Sequence, residues 1–308
     1  MIGEGAVGEV YRARYAEKIH FKEIAFKKFK VKMMAGERKS SRKMGIVDAV
    51  KHEAAYLSSL KDAHIVGLIG VCTDAPMIGL ALELCQGGSL IQVYRTVADV
   101  AVPKIFFIGW AIQIASAMEC IITAEFIHRN LKMDNVLVLQ KVCFCALPNA
   151  NTLDRLDSGL YLHNDIQYNG VCRKCGGTAF DRLTLKLTEF GFTRENNNST
   201  SVNRFAYIAP EAYIHACYTE YSDIWSFGVL LWELITRIRP HENADETTVP
   251  YLVEIGKISL IIPKEFPSII VDLITRCQNR TAHERPRFSE IIRVLNDYHT
   301  ELLTDNLE

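Results

Sequence analysis

The chain has 308 residues, 49% of them hydrophobic and 23% charged, with a formal net charge of -1. That composition excludes a disordered or fibrous chain and suits one large domain or two packed lobes. The near-neutral balance gives no bulk electrostatic case for nucleic acid or an anionic membrane, so an anionic ligand has to be held by local geometry.

The opening MIGEGAVGEV has neither the charged start nor the apolar core of a secretory signal, so a cytoplasmic location is expected. Nine cysteines, an odd number, then predict reduced thiols rather than a disulfide framework. Strands are predicted at IGEGAVGEVYRARY, at IHFKEIAFKKF, and at the short apolar runs LIGVC and MIGLALEL. Residues 47–60 carry apolar positions at helical spacing, and the basic run 27–43 reads as a solvated loop and helix face. CQGGSL is a turn signal, and beyond it the patterns become helical. Residues 105–124 are apolar enough to raise the question of a membrane span. Gln113, Ser116, Glu119 and Thr123 recur every three or four positions there, lining one side of a helix buried on its other faces. A core helix and no membrane span are therefore expected. ENNNSTS, at residues 195–201, reads as a mobile loop. A strand-rich lobe over residues 1–86 and a helical lobe over 87–308 follow from this order.

Gly3, Gly5, Gly8 and Val10 fit G-x-G-x-x-G-x-V at the start of the chain. IAFK ends in Lys27 on the next predicted strand, and Glu53 lies in the helical segment KHEAAYLSSL. HRNLKMDN, EFG, APE, SDIWSFGVLLWE and ERPRF follow in order from residues 128, 189, 209, 222 and 284. This ordered set resembles the protein kinase family over the whole chain. The phrases VYRARY, GLIGVC, LVLQKV, AYIAPE and DIWSFGVLLWEL resemble the mixed-lineage group of tyrosine-kinase-like kinases.

The resemblance implies an α+β, two-lobed protein kinase fold, a small antiparallel β lobe with one helix and a larger mainly α lobe. It also implies ATP and magnesium as ligands, and a protein substrate or partner kinase. In that scheme the glycines let backbone N–H groups close over the phosphates, and Lys27, paired with Glu53, meets the α and β phosphates. Val10, Ala25 and Leu137 sandwich the adenine, Leu82 is the gatekeeper, and the hinge runs from Glu83 to Cys85. Asn135 and Glu189 hold magnesium through oxygen, and Lys132 meets the transferring phosphate. Asp223 steadies the catalytic-loop backbone, and Arg285 pairs with Glu211.

Three positions depart from the scheme. Asn130 stands where the family has the aspartate that takes the substrate hydroxyl's proton, and a carboxamide has no useful basicity. Glu189 replaces the aspartate of D-F-G and adds a methylene, which weakens magnesium binding. Arg204 stands where serine/threonine kinases carry a threonine that bonds to the missing aspartate. Asp134 is expected to face outward rather than stand in as the base. Together these favour a pseudokinase-like signalling protein that binds ATP with impaired or absent phosphotransfer. The alternatives are an active serine/threonine or tyrosine kinase transferring the γ-phosphate to protein hydroxyls, and a scaffold that binds no nucleotide.

Between LVLQKV and KLTEFG the mixed-lineage pattern needs only a short hairpin, yet an insert of about residues 141–184 intervenes. It carries Cys143 and Cys145 as C-x-C, and Cys172 and Cys175 as C-x-x-C followed by Gly176 and Gly177. Four thiols in that pattern suit a tetrahedral zinc site. A loop with incidental cysteines and a retained intron fit the same residues.

Overall fold

The computed structural model describes residues 1–4, 8–17, 20–30, 39–97, 102–145, 169–189, 205–245 and 247–305. Arg204 and the 195–201 segment lie outside these residues. Among the described residues, contacts group those up to Cys85 in one unit and those from Gln86 onward in a second, one residue before the boundary read from the sequence. The fold is the two-lobed α+β fold that the sequence implies.

The first unit is a five-stranded antiparallel sheet in the order β1-β2-β3-β5-β4, with one helix among its described residues. Its strands are β1 (Gly3–Glu4), β2 (Gly8–Glu17), β3 (His20–Phe29), β4 (Leu68–Cys72) and β5 (Gly79–Glu83). On the central strand β3, Ile24, Ala25, Phe26 and Lys27 are buried in succession, because both faces are covered there. Glycine lets the neighbouring backbones approach it: a Cβ on Gly8 would lie 2.3 Å from the Lys28 carbonyl oxygen, and one on Gly79 2.2 Å from that of Lys27. Helix α1 (Lys39–Ser59) buries Val50, Glu53, Ala54 and Leu57, a stripe at helical spacing.

The second unit holds α2 (Leu90–Thr96), α3 (Lys104–Thr123), α4 (Pro210–His215), α5 (Glu220–Thr236), α6 (Val249–Glu254), α7 (Ser268–Cys277) and α8 (Phe288–Asp305). It also holds a two-stranded antiparallel ladder of β6 (Val136–Val138) and β7 (Leu185–Leu187). Capping boxes start two of the helices, Ser89 with Gln92 at α2 and Thr219 with Ser222 at α5. By length and composition alone α3 could cross a membrane. It is instead packed against α8, α5 and β7, with Ala111, Ala115, Ala117, Met118 and Ile121 wholly buried. Its polar stripe has a structural use as well. The Gln113 side chain donates to the Leu183 carbonyl at 3.1 Å and accepts the Leu185 N–H at 2.8 Å, so it grips the strand that leaves the insert.

Candidate functional site

In the first unit the pairing register places the predicted residues on one sheet face. Val10 is opposite both Gly3 and Lys27, Lys27 is opposite Leu80, and Ala25 is opposite Leu82. Cross-strand partners share a face and so do residues two apart, so Gly3, Val10, Ala25, Lys27 and Leu82 point the same way. Lys27 Nζ donates to Glu53 Oε1 at 2.9 Å, and the two side chains are 7% and 9% exposed. The Lys27 ammonium also lies 5.5 Å from the centroid of the Phe29 ring. The Glu83 N–H donates to the Gly67 carbonyl at 2.8 Å, and Cys85 is half-buried where the unit ends. Gly5 lies outside the described residues.

The second unit supplies the loop that carries Asn130. Asp223, near the start of α5, accepts the backbone N–H groups of His128 at 2.6 Å and Arg129 at 2.8 Å. Burial nevertheless pushes the Asp223 carboxyl up to about 7, with those two bonds opposing the shift. His128 is wholly buried, and burial lowers its imidazole to about 4. Lys132, Met133 and Asn135 are buried, and the Asn135 Nδ2 donates to the Asn130 carbonyl at 2.7 Å. The Thr188 N–H donates to the Asn135 carbonyl at 3.0 Å, which sets Glu189 beside this loop. Leu137 lies on β6 in the same unit, opposite Lys186. Arg129 and Glu189 adopt φ of 64° and 58°, a left-handed conformation that crowds the Cβ of a non-glycine residue and gathers at functional loops.

Asn130 behaves as a donor here. Its Nδ2 lies 3.5 Å from the Glu189 carbonyl, at the long limit of a hydrogen bond. Asp134, expected to face outward, is half-buried. Burial is the main cause that raises the Glu233 carboxyl to about 7, and the charge of Asp134 adds to the shift. The Tyr207 hydroxyl donates to that same carboxyl. Arg285 spends its guanidinium inside the fold. It forks onto Glu211 at 2.6 and 3.0 Å and donates to the carbonyls of Tyr221 and Asn279.

The chain matches the protein tyrosine and serine/threonine kinase family over residues 1–295. It belongs to that family. Mitogen-activated protein kinase kinase kinase mlk-1 of Caenorhabditis elegans is 35% identical over 267 residues, covering 85% of this chain and 24% of the relative. Mitogen-activated protein kinase kinase kinase 11 of Homo sapiens is 28% identical over 312 residues, covering 99% and 31%. A mitogen-activated protein kinase kinase kinase of Drosophila melanogaster is 30% identical over 301 residues, covering 96% and 22%. The resemblance to mixed-lineage kinases therefore holds, and this kinase domain spans less than a third of the length of these relatives.

Outside the family's motif positions, the four insert cysteines of this kinase domain meet. The sulfur atoms of Cys143, Cys145, Cys172 and Cys175 all lie within 4.8 Å of one another. The backbone N–H of Cys175 is the main cause holding the Cys172 thiol down at about 7, and burial pushes Cys143 up to about 12. Sequence reasoning missed Gln113 and Tyr207 as positioning residues. The amide on the polar stripe of α3 was the available signal for the first, and none marked the second.

Proposed function

We propose that this kinase domain binds a nucleotide and is impaired or silent in transferring phosphate to protein. The observation that supports it is the buried Lys27–Glu53 pair at 2.9 Å, in a chain whose catalytic loop carries an amide at Asn130. An ammonium taken out of water costs several kcal/mol unless paired, so a lysine fixed in this way is a preorganised charge for an anionic phosphate. Val10, Ala25 and Leu82, on one sheet face, supply apolar surface for the base, and Glu83 to Cys85 supply backbone groups.

The residues present fit magnesium. The Asn135 Nδ2 is taken by the Asn130 carbonyl, which leaves its Oδ1 as an acceptor, and Glu189 carries a carboxylate, so both would offer the oxygen that a hard cation takes. Magnesium, when bound, neutralises phosphate charge. The extra methylene of Glu189 displaces its oxygen relative to an aspartate, which weakens the metal site. Lys132 contributes a second cation for phosphate. Asn130 has no lone pair basic enough to take a hydroxyl proton, and that loss removes a factor on the order of a hundred to ten thousand. Positioning and charge remain, and the domain acts chiefly by presenting its nucleotide-filled fold to a substrate or partner kinase.

Nucleotide binding to purified protein, with and without magnesium, beside phosphate transfer by the unmodified chain, Lys27→Ala and Asn130→Asp, tests this reading. Binding that Lys27→Ala abolishes is expected, with transfer at least roughly a hundredfold faster in Asn130→Asp than in the unmodified chain. Robust transfer by the unmodified protein that vanishes in Lys27→Ala would make it an active kinase. No binding at all would leave a scaffold.

A further inference from the structure

We propose that Cys143, Cys145, Cys172 and Cys175 bind a zinc ion that fastens the long connection between β6 and β7 onto helix α3. A zinc–thiolate bond of about 2.3 Å places four tetrahedral sulfurs about 3.8 Å apart. The four sulfurs here already lie within 4.8 Å of one another, so closure needs only small side-chain rotations.

The surroundings are built for a metal knuckle. The Gly176 N–H donates to the Cys172 carbonyl at 2.8 Å, and the Cys172 N–H to the Gly177 carbonyl at 2.7 Å, which curls the C-R-K-C-G-G segment into a tight loop. Gly176 holds φ of +66°, a left-handed turn suited to glycine. The Gly177 N–H donates to Cys175 Sγ at 3.3 Å, the kind of outer bond that orients a thiolate ligand. The two cysteine pairs come from distant stretches of chain, and the contact between them admits no side chain. A Cβ on Gly177 would lie 2.7 Å from the Cys143 nitrogen and the Val142 oxygen. The Cys143 N–H donates to the Thr178 carbonyl at 2.9 Å, and the Thr178 N–H to that of Lys141 at 2.7 Å.

The cluster is also docked on the unit. Phe144, between the first two cysteines, meets Phe180 edge-on at 6.2 Å, and Phe180 lies 6.0 Å from Trp110 of α3. Four thiolates leave a zinc centre with a double negative charge. Arg173 and Lys174, both exposed, lie between Cys172 and Cys175 in the sequence, and Lys141 donates to the Cys175 carbonyl at 2.7 Å. These three cations offset that charge. Binding exchanges thiol protons for the metal and releases them to solvent, with no change in oxidation state. The softness of four sulfurs in a tetrahedron selects zinc over the hard magnesium ion of the nucleotide site. The consequence is that Cys145 and Cys172, distant along the chain, are joined at one cross-linked point, so the connection between β6 and β7 is shortened in effect and its closure entropy reduced.

The full chain, purified under reducing conditions without added metal, is analysed for bound metals. A mercurial thiol reagent is then titrated against zinc release, and cobalt(II) is exchanged into the protein. A single zinc per chain is expected, released as four thiols react, and the cobalt form should show the charge-transfer and intense d–d bands of a tetrathiolate site. Cys145→Ser combined with Cys175→Ser should lose the zinc, while Cys217→Ser, at an exposed cysteine outside the cluster, should keep it. Metal-free protein, iron in place of zinc, or a mass showing two disulfides among these cysteines would overturn the proposal. Zinc content and release are read on the unmodified chain, so a variant that fails to fold leaves the test intact. None of these readouts depends on nucleotide binding.

Discussion

Two parts of the helical unit carry the family's motifs to opposite ends. In the frame, Arg285, Glu211 and Asp223 are fixed by bonds of 2.6 to 3.0 Å, and each charge has its partner. At the chemical centre of the neighbouring loop, Asn130 holds an amide whose side-chain contact to the Glu189 carbonyl is 3.5 Å long. The contrast shows that a kinase fold and kinase chemistry make separate demands on a sequence. A buried charge that loses its partner destabilises the fold, whereas a carboxylate exchanged for an amide at the loop centre removes basicity and breaks no internal bond of similar strength.

The sharpest way to break this contrast is to attack the frame. Arg285→Ala leaves the Glu211 carboxylate and the carbonyls of Tyr221 and Asn279 without the guanidinium, and removes a cation 5.0 Å from the centroid of the Trp225 ring. A loss of roughly 3–5 kcal/mol of unfolding free energy is expected, read from the urea midpoint. A loss below about 1 kcal/mol would show that the pair is no more important than a surface salt bridge.

A smaller effect comes from pH. His128 is held neutral in the fold down to about 4, against an ordinary value of 6.5. The unfolded chain takes up this proton first, so the histidine's contribution is present above about 6.5 and is lost as pH falls toward 4. Asp223 and Glu233 act in the opposite sense. Both carboxyls are pushed up to about 7, so their share of stability is full at low pH and is lost as pH rises through about 7. The two trends offset each other in the whole protein, and a difference measurement separates them. His128→Asn should lose its stability disadvantage relative to the unmodified chain by on the order of 2 kcal/mol between pH 7.5 and pH 5. An unchanged difference would mean that His128 does not titrate on unfolding.

Much of this frame was legible in the sequence because each motif residue carries its own chemistry at a fixed place in the order. Lys27 on a strand, Glu53 on a helix, Asp223 at a helix start and Arg285 were all readable, and each forms the contact its motif implies. The meaning of Gln113 was less legible. Periodicity assigns it to a polar stripe, but its partners are backbone groups of Leu183 and Leu185, about seventy residues later, and no local pattern encodes that return. The cysteine spacing raised zinc as one of three readings. What brings the pairs together is the glycine contact with Val142 and the stack of Phe144, Phe180 and Trp110, which spacing alone does not reveal.

Glu189 gives the finest test of the contrast, because it keeps the charge of the family's aspartate and alters only its reach. Glu189→Asp changes both the reach of the carboxylate and the strain of the backbone, and only the first bears on the metal. The shorter side chain withdraws the carboxylate by one methylene, restoring the reach that the family pattern places against a phosphate-bound magnesium, an ion that tolerates poor geometry badly. The backbone here holds φ of 58°, and aspartate enters the left-handed region more readily than glutamate, so the substitution also relieves strain. Magnesium-dependent nucleotide affinity should rise about tenfold, or about 1.4 kcal/mol, with magnesium-free affinity unchanged. A rise of equal size without magnesium would place the gain in the backbone rather than the metal. A fall would mean that the longer side chain already meets the ion, and that the loop around it has adjusted to the glutamate.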